Sequence, residues 1–63
     1  MLGSMISKIR KEKQMTKVEL SKRTNINIGH ITHIEKSERN PSHKALKSIT
    51  NALEIPYKIL SQL

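Results

Sequence analysis

The sequence predicts a compact all-α fold, five short helices forming one domain over residues 1–63. Three observations predict it. Apolar residues recur at three- and four-residue spacing in nearly every segment between breakers, the pattern of helices that pack through one stripe. Alternation with period two never lasts beyond a few residues, and neither Asn-Gly nor Asp-Gly occurs to turn a hairpin. Thr16, Asn27 and Ser42 each stand where a side-chain oxygen would cap a helix start.

Helix one is expected from about Ser4 to Lys13, with Leu2, Ile6 and Ile9 on its apolar side and Ser7, Lys8, Lys11 and Glu12 on the other. Thr16 precedes Glu19 by three residues, a capping box in which hydroxyl and carboxylate each satisfy a backbone N–H at a helix start. Helix two begins there and buries Leu20. Asn25-Ile26-Asn27 follows as the turn, Asn25 being suited to a left-handed conformation and Asn27 to an N-cap. Helix three runs from about Ile28 to Lys36 and buries Ile31 and Ile34. Ser37 to Pro41 is a loop, because Pro41 disfavours helix at Asn40, and Ser42 caps helix four. Leu46, Ile49, Thr50 and Leu53 carry that helix to the Glu54-Ile55-Pro56 break. Pro56 suits the first turn of a fifth helix, about Tyr57 to Gln62, in which Ile59 and Leu60 complete the core. Tyr57 and Leu63 are then left for a partner, either a second copy or a C-terminal region.

Twelve Lys and Arg stand against five Glu and no Asp, a net charge of +7. That balance favours a polyanion, either nucleic acid or an anionic membrane face. The apolar runs, such as Ala52-Leu53, fall far below the roughly 18 residues a membrane span needs. The cations are also spread over several short helices instead of one face of a long one, which disfavours a membrane-surface helix. Without cysteine there is neither a disulfide nor a thiolate metal site, and a reducing cytoplasm is the simplest home. His30 and His33 lie three apart with His43 beyond them, but no Cys, Asp or nearby Glu completes a ligand set, so no metal or cofactor is expected. Paired carboxylates, a Ser or Cys with a positioned base, and a Gly-rich phosphate loop are all missing, which argues against an enzyme.

Taken in order, several stretches carry one pattern: Leu2-Gly3, Ile6…Ile9-Arg10-Lys11-Glu12-Lys13, Met15-Thr16…Glu19-Leu20-Ser21 and Ile31…Ile34-Glu35-Lys36. Arg39-Asn40-Pro41-Ser42, Leu46…Ile49 and Ala52-Leu53-Glu54-Ile55-Pro56 close it. The chain thereby resembles the Cro/repressor class of helix-turn-helix domains, the XRE family, over nearly its whole length. The resemblance implies a lambda-repressor-like five-helix domain, with the helix-turn-helix at helices two and three, that binds DNA as a two-fold dimer to regulate transcription. It also implies a partly buried ion pair between Arg10 and Glu35. The chain departs from the family in having Lys17 where Gln often opens helix two, Ser21 for a common Ala, and Gln14 and Asn25 where Gly is frequent.

On a recognition helix of this class, the residues turned away from Ile31 and Ile34 meet the bases. They are Gly29, Thr32 and His33, flanked by Ile28 and His30, with Asn27 at the helix start. Ile28 suits a thymine methyl, Thr32 either kind of base, Gly29 a close backbone approach, and His33 a purine edge. Thr16, Lys17, Lys36, Arg39, Asn40, Ser42 and Lys44 form the rim expected to hold phosphates, which position the domain without reading sequence. The favoured function is sequence-specific transcriptional regulation, acting as a repressor, by a homodimer on a palindromic double-stranded operator. Its recognition helices would lie about 34 Å apart. The alternative is a protein-interaction module, such as an antitoxin-like or peptide-sensing regulator; the operator and any small-molecule or peptide effector are not legible.

Overall fold

The computed structural model describes residues 2–62, and five helices account for most of them. They are α1 (Leu2–Glu12), α2 (Lys17–Thr24), α3 (Ile28–Glu35), α4 (His43–Leu53) and α5 (Tyr57–Ser61). No strand occurs among the described residues. α1 packs on α3 and α5, α2 on α3 and α4, and α4 on α5, so every helix faces a common centre. That centre consists of Ile6, Leu20, Ile31, Ile34, Leu46, Ile49, Leu53 and Leu60. Burying each such side chain stabilises by about 1.5–3 kcal/mol, and all five helices contribute at least one.

One expectation about the core needs correction. Ile59 was expected inside with Leu60, but it is 51% exposed while Leu60 is closed off. A helix of five residues presents one narrow stripe, and Leu60 fills it. Tyr57, expected to face a partner, is half-buried against the core, and its hydroxyl lies 2.7 Å from His43 Nδ1. Leu63, the other expected partner residue, lies outside the described residues.

Helix boundaries follow local chemistry. α1 begins at Leu2, two residues earlier than expected, because Leu2 packs against the core and Gly3 is buried beside the end of α3. A Cβ at Gly3 would run into the Ile34 carbonyl oxygen, so only glycine lets α1 approach α3 this closely. Pro56 serves as the cap position before α5 and does not enter its first turn. The Thr16 hydroxyl accepts from the Glu19 N–H at 3.0 Å as expected, yet only half of the capping box forms. Glu19 turns instead to Arg23, accepting from its Nε at 2.8 Å. A charge-assisted bond one turn ahead wins over a bond to a solvated backbone N–H.

Four helix ends are turned by left-handed residues, none of them glycine: Gln14, Asn25, Ser37 and Glu54, with φ between 58° and 62°. The departures at Gln14 and Asn25 therefore leave the turns intact. At Gln14, Ser37 and Glu54, paired bonds back into the preceding helix close a Schellman motif. After α3, for example, the Ser37 N–H donates to the Ile34 carbonyl at 3.0 Å and the Glu38 N–H to the His33 carbonyl at 2.9 Å.

Candidate nucleic-acid interface

α2 and α3 are joined by three residues tied down by hydrogen bonds. Asn25 takes the left-handed conformation, and its N–H donates to the Ser21 carbonyl. Ser21 Oγ donates to the Ile26 carbonyl at 2.6 Å, while Thr24 Oγ1 donates to the Leu20 carbonyl and accepts from the Ile26 N–H. Asn27 caps α3, its Oδ1 accepting from the Gly29 N–H at 2.8 Å. The bond that Ser21 makes across the turn was not legible in its standing for a common Ala.

α3 has two unlike sides. Ile31 and Ile34 are closed off in the core, and Glu35 is held by Arg10, with Arg10 Nε 2.8 Å from Oε2 and Nη2 3.1 Å from Oε1. The side chains of this bidentate pair are only 7% and 6% exposed. Arg10 Nη1 also donates to the Met15 carbonyl at 2.8 Å, so one guanidinium fixes α1, the entry to α2 and the end of α3. On the other side Ile28, Gly29, His30 and His33 are exposed. Ile28 points outward and does not cover the core under the turn.

Asn27, Gly29, His30, His33 and Arg39 line one shallow concavity, so four of the six expected base readers and the nearby Arg39 share a surface. Gly29 borders it without a side chain; a Cβ there would meet little beyond Asn27 Oδ1. Thr32 is less available than its position suggests. Its hydroxyl donates to the Ile28 carbonyl at 3.0 Å and accepts from Lys17 Nζ at 3.4 Å. Lys17 thus reaches across from α2 and sets its charge beside the exposed side of α3.

Among the remaining rim residues, Lys36, Arg39 and Asn40 are exposed on and after the α3 C-cap. Ser42 caps α4 by accepting from the Ala45 N–H. Lys44 shares a shallow surface with Thr24 at the end of α2 and with Asn25 and Ile26 of the turn, which carries the cationic rim from α4 up to the helix-turn-helix.

Glu38 corrects one expectation: a glutamate does stand near the exposed histidines, with Oε1 2.6 Å from His33 Nδ1. That bond holds the Glu38 carboxyl below its ordinary pKa, with smaller help from the charge of Lys36. Glu19 is lowered in the same sense by its bond to Arg23. Even with Glu38 counted, no three metal-ligating side chains cluster among the described residues. His43 instead meets the ring of Tyr57 edge-on at 5.2 Å between centroids.

Two helices locked at a three-residue turn, one of them displayed outward among cations, form a helix-turn-helix. Residues 6–60 match the model described as Helix-turn-helix. This chain belongs to the helix-turn-helix family. As a member of that family, it is 35% identical over 54 residues to the immunity repressor protein of Bacillus phage phi105. The match covers 86% of this chain and 38% of that repressor, so the helix-turn-helix chain spans well under half of its relative's length. It also superposes on the crystal structure of a mutant of the restriction-modification controller protein C.Esp1396I with a TM-score of 0.87 and 33% identity, covering 97% of this chain and 79% of that one. None of the described helices is long and apolar enough to cross a membrane.

Proposed function

We propose that residues 1–63 act as one sequence-specific DNA-binding unit of a transcriptional repressor, laying α3 in the major groove of a palindromic operator as one half of a homodimer. The observation that carries the reading is the asymmetry of α3. One side is locked by Ile31, Ile34 and the Arg10–Glu35 pair, and the other displays Ile28, Gly29, His30 and His33 beside Lys17 and Arg39. A helix held this rigidly presents its readers to base edges at little entropic cost. Asn27, Ile28, Gly29, His30, Thr32 and His33 read bases. Thr16, Lys17, Lys36, Arg39, Asn40, Ser42 and Lys44 hold phosphates. Asn27 Oδ1 and the Thr32 hydroxyl already serve α3 itself, so Ile28, His30 and His33 are the principal side-chain readers. The second subunit docks through Tyr57 and the rest of α5, to which Ile59 adds exposed apolar surface.

Titrating the chain with duplex DNA at several salt concentrations tests this reading. If about six phosphates are neutralised, log affinity falls with log salt at a slope of about −5. A slope near zero would contradict it.

A further inference from the structure

Glu38 is out of place for a surface that meets a polyanion. It follows the exposed end of α3, between Lys36 and Arg39, where a carboxylate repels phosphate. Its geometry is specific nonetheless. The left-handed Ser37 turns the chain back so that the Glu38 N–H donates to the His33 carbonyl at 2.9 Å, while the Glu38 carboxylate meets His33 Nδ1 at 2.6 Å. Backbone and side chain of one residue therefore grip backbone and side chain of the other.

From this reciprocal clamp we infer that Glu38 is a positioning residue for base reading: it keeps the His33 proton on Nδ1 and presents Nε2 to the groove as a hydrogen-bond acceptor. The inference rests on the DNA-binding reading above. An ionised carboxylate only accepts hydrogen bonds, so the nitrogen facing it must carry a proton. In the neutral imidazole the other nitrogen then has a lone pair and no hydrogen. In the major groove an acceptor pairs with the exocyclic amino group of adenine or cytosine, and it opposes guanine O6 and N7 or thymine O4, which are acceptors themselves. His33 is thereby narrowed from a general purine contact to a reader of amino-bearing bases.

The test compares dissociation constants of the full chain, Glu38→Ala and Glu38→Gln on four duplexes that differ at the base pair whose preference His33→Ala relaxes. The unaltered chain binds best where adenine or cytosine faces His33. Glu38→Ala lowers that preference about tenfold, the scale of one hydrogen bond, whereas Glu38→Gln keeps an acceptor oxygen and retains most of it. If Glu38 were only a repulsive charge, both variants would tighten all four duplexes by one factor and leave the ranking unchanged. That result overturns the inference and leaves DNA binding standing. The inference also falls alone if guanine or thymine is preferred, or if His33→Ala relaxes no position. A chain that binds no duplex overturns both readings. In the free chain, ring-nitrogen chemical shifts of the neutral His33 imidazole should show the Nδ1–H form; the Nε2–H form would overturn the inference without any DNA.

Discussion

Two carboxylates three residues apart close the last turn of α3 and its exit, and they differ in nearly everything except bond length. Glu35 and Arg10 meet at 2.8 Å with side chains 7% and 6% exposed, whereas Glu38 and His33 meet at 2.6 Å with more than half of each side chain in solvent. The shorter contact is the weaker one energetically, because water and salt screen it and solvate either partner when the other is lost. Around Glu35 burial leaves solvent little room to take over. Burial, more than distance, decides which pair holds the fold and which one tunes a surface.

The comparison breaks most visibly at Arg10. Arg10→Met should lower stability by about 3–5 kcal/mol, because it leaves the Glu35 charge buried without a partner. For so small a domain that approaches the whole folding free energy, so thermal unfolding by circular dichroism should show little native signal. Replacing both partners with apolar residues should recover much of the loss. An unchanged melting temperature in Arg10→Met would remove the pair from the account.

Ser37 lies between the two carboxylates and holds a left-handed conformation that disfavours any residue with a Cβ. Ser37→Gly should stabilise by about 1 kcal/mol, raising the melting temperature by roughly 4–8 °C. A fall would mean that the Ser37 side chain supports the turn in some further way. At Glu38 the stability effect should be smallest, with Glu38→Gln melting almost where the unaltered chain does. A large loss there would erase the contrast between the pairs.

Legibility in the sequence follows the same division. All five helices could be read, because Ile6, Leu20, Ile31, Leu46 and their neighbours repeat at helical spacing, and because Thr16, Asn27 and Ser42 are caps of the expected kind. The Arg10–Glu35 pair came through resemblance alone, since no local rule links residues 25 apart. The Glu38–His33 clamp stayed hidden because it depends on Ser37 turning left-handed where no glycine marks the turn. Ile59 was misplaced because a five-residue helix repeats too briefly to distinguish its inner side from its outer one. Thr32 was read as free to meet bases, and its hydroxyl is spent on α3 and Lys17, whereas the use of the Asn27 oxygen as a cap was legible. Spacing placed Thr32 correctly but is silent about local hydrogen bonds.

The central claim is that the exposed side of α3 reads sequence while its cationic rim only grips backbone. Selecting bound duplexes from a random pool with the unaltered chain, His33→Ala and Lys36→Ala tests it most directly. The account predicts a palindromic consensus, relaxed at one base pair per half-site by His33→Ala, with Lys36→Ala weakening all sequences alike. Identical consensus sequences and equal losses from the two variants would contradict it.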